Sequence, residues 1–219
     1  MALTKFNYNS FDLTTAASKG LAFNSSANGF ETAAEGSMTL IKTLTASSSS
    51  TLSFVNGSSD VVLDSTYPIY LFKFINIHPA SNDVNFNVNF RDGGSSYDAT
   101  KTTTNFHGYH GEGAGDSSFG YSTGQDLAQS TSNLRISGNI GNENDESSSG
   151  ELFLFNPSST TFVKHFIITT NTYLQDNYSS PYYVAGYCNV TAVIDAVQFT
   201  VSSGNIDTGT IKLYGLKDS

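Results

Sequence analysis

The chain has no tryptophan, one cysteine, two methionines and four prolines in 219 residues. With Cys188 alone, no intramolecular disulfide can form. That thiol lies in Tyr187-Cys-Asn-Val190, inside an apparent strand with no basic or helix-N-terminal neighbour, so it reads as buried and inert. Charge is scarce too: 13% of residues are charged, acids outnumber bases 19 to 10, and the formal net charge is −9. No basic run exists to neutralise phosphates, which argues against nucleic acid, and the acidic excess disfavours an anionic membrane surface. No apolar run could span a bilayer, and Met1-Ala-Leu-Thr-Lys-Phe6 has no signal-peptide core. The expectation is a soluble product made in the cytoplasm, without membrane insertion. Gly-x-Ser-x-Gly, His-Glu-x-x-His and phosphate-binding glycine motifs are all missing, as are the tryptophans common in polysaccharide clefts. The sequence therefore reads as non-enzymatic, with no catalytic residue, metal or cofactor assigned.

Serine, threonine, asparagine and glycine supply the polarity instead, and alternation supplies the fold class. Val84, Phe86, Val88 and Phe90 alternate with Asn85, Asn87 and Asn89, which puts four apolar side chains on one face of a strand and three amides on the other. The preceding stretch, Tyr67 to Pro79, is apolar on nearly both faces, as in a central strand. With Pro79-Ala-Ser-Asn-Asp83 between them, the two read as an antiparallel hairpin at the heart of a sandwich. Further strands are expected at Met38–Thr45, Thr51–Val55, Val61–Leu63, Glu151–Phe155, Phe162–Thr169, Tyr182–Val190, Val193–Val201 and Gly209–Leu216. Thr-rich residues 97–106 suggest an edge or solvent-facing strand; glycine-rich residues 107–116, residues 137–150 and residues 171–181 read as loops. Residues 117–123 and 127–136 each fit a strand, and the second fits a short helix as well. No stretch forms a persuasive amphipathic helix. The predicted fold is all-β, an antiparallel β-sandwich of jelly-roll type (residues 37–219), preceded by an extended N-terminal arm (residues 1–36).

Five groups of residues bear on function. The arm carries Phe6, Tyr8, Phe11, Leu13 and Phe23 among small polar residues, richer in aromatics than a disordered tail, and is expected to dock on its own sandwich or on a neighbour. Asn85, Asn87 and Asn89 offer uncharged amides that are cheaper to bury than charges. Tyr173, Tyr178 and Tyr182, with Tyr183 and Tyr187 and beside Gln175, Asp176 and Asn177, suit a subunit interface, a sugar platform or plain core and corner packing. His107, His110, Glu112 and Asp116 have ligand chemistry, but sit on a stretch too rich in glycine to preorganise a metal. The acidic run Glu143, Asp145 and Glu146 reads as a solvated loop rather than a Ca²⁺ site.

Four blocks stand out: Met38-Thr-Leu-Ile-Lys-Thr-Leu-Thr45 running on to Phe54, Tyr70-Leu-Phe-Lys-Phe-Ile-Asn-Ile-His-Pro79, Gly150-Glu-Leu-Phe-Leu-Phe-Asn-Pro157, and Ser203-Gly-Asn-Ile-Asp-Thr-Gly209 on to Leu216. They resemble virion structural proteins of tailed phages from marine hosts. The resemblance covers residues 37–216 and implies a particle component found in the virion. Expected partners are other virion proteins, major capsid or tail, with homo-oligomerisation, trimeric in the usual case. With no heptads, collagen-like run or shaft, a capsid decoration subunit is the first reading. A tail fibre or receptor-binding tip that recognises host glycans is the alternative.

Overall fold

The computed structural model describes residues 20–23, 26, 29–32, 36–113 and 115–217. Among them there are fourteen strands and no helix. The chain divides into two compact units, residues 1–39 and 40–219. In the first, β1 (Leu21–Phe23) and β2 (Phe30–Thr32) form a small antiparallel ladder, and Phe23 stacks on Phe30 at 5.0 Å.

The second unit holds β3 (Met38–Thr45, which crosses the unit boundary), β4 (Leu52–Val55), β5 (Ile69–Pro79), β6 (Val84–Arg91), β7 (Lys101–Gly111) and β8 (Ser117–Tyr121). It continues with β9 (Leu134–Ile140), β10 (Ser148–Phe155), β11 (Lys164–Leu174), β12 (Tyr178–Cys188), β13 (Ala196–Val201) and β14 (Ile206–Leu216). One antiparallel sheet contains them all. Its path runs out along β3-β14-β5-β10, turns through β11, and returns along β9-β6-β13-β4. The turn rests on one pairing, Leu174 with Ile140. A branch, β12-β7-β8, leaves the free edge of β11. Ser49, between β3 and β4, bridges Ile206 of β14, so the sheet is nearly closed into a barrel.

Aromatic side chains hold the two rows face to face. Phe199 of β13 lies 5.2 Å from Phe74 and 5.6 Å from Phe72 of β5, and 5.8 Å from Phe86 of β6. Phe54 of β4 meets Phe72 edge-on at 5.3 Å, and Phe90 of β6 stacks on Phe166 of β11 at 5.0 Å. All are buried. Offset and edge-to-face pairs of this kind add to the large area each ring removes from water.

The expected hairpin of residues 67–90 is overturned. Both strands are present, but β5 pairs with β14 and β10, whereas β6 pairs with β9 and β13. The link Ala80–Asp83 carries the chain from one row to the other, and the strands meet through their faces, Phe74 against Phe86 at 5.3 Å. Each strand has a full apolar face; side-by-side pairing would have left both faces needing cover. Val61–Leu63 is no strand, although Val61 and Leu63 are buried.

The branch brings further corrections. Thr-rich β7 is flanked by β12 on one side and by β8 on the other, and its Lys101, Thr103 and Asn105 point inward. Half of the glycine-rich stretch is strand: His107–Gly111 ends β7, and Glu112 and Gly113 form a turn after it. Its glycines serve close packing. A Cβ on Gly108 would lie 3.0 Å from the Ser118 carbonyl, and one on Gly111 would lie 2.9 Å from the Tyr178 ring. Residues 171–181 are likewise the facing ends of β11 and β12, paired in unbroken register from Lys164–Cys188 to Leu174–Tyr178. In the acidic run, Glu146 is buried, its carboxylate folded over Gly141 and accepting the Glu143 amide at 2.6 Å.

Lys101, Cys188 and Lys164 occupy one row across β7, β12 and β11, and all three are buried. The Lys101 ammonium donates to Asn89 Oδ1 at 2.6 Å and to the Ala99 carbonyl at 2.7 Å. Lys164 donates to the carbonyls of Val190 and Ala192. Burial pulls the Lys101 pKa down to about 8 and pushes the Cys188 thiol up to about 12.

Two outcomes follow for stability. Phe199→Ala should lower it by about 3–5 kcal/mol, read by chemical denaturation, since it removes the ring shared by both rows. Between pH 8 and 10 the unfolded chain binds the Lys101 proton more tightly than the folded one, so this lysine makes stability rise with pH. Cys188 acts oppositely in that window, because its thiol ionises only when unfolded. A difference separates them: from pH 8 to 10 the parent should gain about 2 kcal/mol relative to Lys101→Met.

Candidate functional site

Two features of the branch face outward. The first is an aromatic surface. Tyr183 of β12 pairs with Phe106 of β7, which pairs with Tyr121 of β8, and Phe119 lies two residues from Tyr121 on the same side. Phe106 is 39% exposed, Tyr121 44%, Tyr183 48% and Phe119 65%. Their rings touch: Phe106–Tyr121 at 5.0 Å, Phe119–Tyr183 at 6.4 Å and Phe106–Phe119 at 6.5 Å. The next rows add exposed Ile167 and a shallow apolar depression of about 470 Å³ beside His165, Ala185 and Tyr187. Beyond them, among the described residues, β8 pairs only with β7 and forms an edge strand. Its sequence, Ser-Ser-Phe-Gly-Tyr, has no charge and no proline, the usual devices that keep an open edge from pairing.

The second feature is the end of the branch, where two hairpin tips lie together. Tyr178 pairs with Gly111 and Ser179 with His110, which sets the turn at Glu112 and Gly113 beside the 175–177 turn. The Glu112 amide donates to the Asn177 carbonyl at 3.1 Å, and the Tyr178 hydroxyl donates to Asp116 Oδ2 at 2.9 Å. The Tyr173 hydroxyl donates to Asn177 Oδ1 at 3.0 Å. Two clefts flank Glu112. One, of about 310 Å³, is bounded by His110, Asn171, Tyr173 and Ser179. The other, of about 510 Å³, is bounded by Asp116, Asp176, Asn177 and Tyr178. The potential is negative: the Asp116 hydrogen bond raises the Tyr178 pKa, and desolvation followed by the Glu112 charge raises that of Tyr173.

Comparison with known proteins returned no match to a family model, a curated protein or a solved structure. The site must be read from its own chemistry.

That reading divides the residues singled out from sequence. Tyr173 and Tyr178 join Glu112, Asp116 and His110 in one place, although the sequence separates them by some sixty residues (Asp116 to Tyr178, |i−j| 62). Tyr182 does not join them. It is buried, stacked on His107 at 5.2 Å with the Arg135 guanidinium 5.9 Å from its ring centre. His107 is held in that packing, its pKa lowered by desolvation and then by Arg135. Among the described residues no three His, Cys, Asp or Glu side chains are placed to hold a metal ion. The amide face is largely covered by the chain itself. Asn87 and Asn89 are buried, and Asn89 donates to Asn133 Oδ1 at 3.0 Å and to the Thr131 carbonyl at 3.1 Å; only Asn85 is half-exposed. In the arm, Phe23 is exposed, while Phe6, Tyr8, Phe11 and Leu13 lie outside the described residues.

Sequence reasoning missed Phe106, Phe119, Tyr121 and Ile167. The signal was the period-two pair Phe119 and Tyr121, obscured by the adjoining glycines and serines. Because the Tyr178 hydroxyl ties one tip to the other, Tyr178→Phe should speed hydrogen exchange at the Glu112 amide without moving the global unfolding transition.

Proposed function

We propose that this chain is a non-enzymatic structural subunit of a tailed-phage particle, a capsid decoration protein with a sandwich of jelly-roll type. The strand order supports the fold. Without β7, β8, β11 and β12, the rows β3-β14-β5-β10 and β4-β13-β6-β9 place first beside last and send each successive strand to the opposite row, β6 to β9 excepted, the double Greek key that capsid and lectin domains use. The single observation carrying the role is the aromatic face of Phe106, Phe119, Tyr121 and Tyr183 beside the unguarded edge of β8. A lattice neighbour with an uncharged strand edge suits it: the strand completes the ladder and its side chains cover the rings. The partners in this reading are the major capsid protein or further copies of the chain, with residues 1–36 as a second attachment. The resemblance of residues 37–216 to phage virion proteins points the same way. The alternative placement, a tail tip that recognises host glycans, draws on the cleft-bearing hairpin tips.

The test uses tagged chain supplied during growth of the phage that encodes it, with particles separated on a density gradient. The chain should co-migrate with heads. Phe119→Ser with Tyr183→Ser should cut incorporation at least tenfold, about 1.4 kcal/mol or more of lost contact, while the free subunit keeps its unfolding midpoint. Deleting residues 1–30 should abolish binding if the arm anchors the subunit. Recovery with tails alone would establish the alternative, and recovery only as free protein would overturn both.

A further inference from the structure

We propose that the joined tips of the β7–β8 and β11–β12 hairpins bind an uncharged sugar residue, held over Glu112 between Tyr173 and Tyr178. The clefts on either side of Glu112, about 310 and 510 Å³, open into solvent at the end of the branch. Sites of a few hundred cubic ångströms that set a few polar groups among aromatic walls are typical of small-ligand recognition. The walls here are tyrosine rings held by hydroxyl bonds at their far ends: Tyr178 to Asp116, and Tyr173 to Asn177. Tyr178 is braced further by Tyr109, edge-to-face at 5.5 Å, and by Gly111 beneath it. Anchored rings lose little freedom when an apolar sugar face covers them.

The polar complement suits hydroxyl groups. Asn171 commits its Oδ1 to the Ser179 hydroxyl, at 3.2 Å, and keeps its NH₂ group as a donor. Asp176 and the second oxygen of Asp116 remain as acceptors in the larger cleft, and exposed His110 borders the smaller one with Asn171. Carboxylates take up paired hydroxyl donors, while an amide NH₂ and an imidazole return donors to sugar oxygens. Charge then narrows the class. The two clefts together carry three carboxylates, Glu112, Asp116 and Asp176, and one histidine, and the acids Asp145 and Glu146 add to the field at Tyr173. Phosphates, sulfates, uronic acids and sialic acids would be repelled at this distance. The shared side of the two clefts, Glu112, has its backbone fixed by the Asn177 carbonyl, so the arrangement exists before any ligand arrives.

This site stands apart from the docking reading, because the rings of Phe119 and Tyr183 belong to the outer sheet face and none of the cleft residues. Full-length chain is titrated, with saturation-transfer NMR as readout, against the methyl glycosides of glucose, galactose, mannose and N-acetylglucosamine, and against sialyllactose. At least one neutral glycoside should bind and sialyllactose should not. Glu112→Gln and Asn171→Ala should each weaken binding about tenfold, with unfolding midpoints unchanged, and Phe119→Ser should leave it intact. No transfer to any neutral glycoside at millimolar concentration would overturn the proposal. So would binding that survives both cleft variants, or a preference for sialyllactose. Loss of particle incorporation in Phe119→Ser with sugar binding retained would separate this result from the docking test.

Discussion

The ring of Phe199 sets the constraint on which the rest of the second unit depends. It touches β5 on one row and β6 on the other, so the two rows must face each other at the thickness of packed aromatic side chains. Every strand in the rows then has a fixed inner face, and a shift of one residue in any of them would turn its apolar set outward. Phe54, Phe72, Phe74 and Phe86 all point into that gap, and the turn through β11 follows because the sheet must bend to bring its rows together.

Beyond the aromatic stack the filling changes character. Where β7, β12 and β11 wrap past β6, the inward row is Lys101, Cys188 and Lys164 rather than phenylalanine. Buried ammonium groups cost several kcal/mol each unless hydrogen-bonded. Here the donors reach carbonyls and Asn89, whose amide is in turn held by the 131–133 segment. The lysine stems contribute apolar packing while the heads are satisfied internally. Asn89, which alternation places on an outward face, thus becomes the clamp between β6 and the branch.

This explains what was legible in the sequence. Alternation at Val84–Phe90 and the apolar run at Ile69–Pro79 marked two strands with the right faces. It could not tell an edge partner from a face partner, because both arrangements bury the same side chains. The branch was harder still. Lys101, Thr103 and Asn105 alternate inward without hydrophobicity, so period-two analysis saw a solvent-facing strand. Gly108 and Gly111 looked like turn residues but are glycine because Phe119 and Tyr178 press against them. At the tip, Glu112 and Tyr178 were each visible as polar or aromatic, but only the β7–β12 pairing brings them together. Register across the branch is a tertiary property, and local pattern carries no trace of it.

The same pairing bears on where function belongs. Residues between β6 and β9 supply β7 and β8, and those between β10 and β13 supply β11 and β12. Taking both out leaves β3-β14-β5-β10 and β9-β6-β13-β4, two intact rows already closed by the Phe199 stack. The inserted strands are therefore free of the main packing constraint on one side. Their inner residues combine core side chains, Phe166, Ile168 and Val184, with polar bonds to β6 and β9, and their outer residues form exposed rings and clefts. Exposed aromatics gain nothing for the fold and invite association, so their place on the inserted strands puts binding where the scaffold can tolerate change.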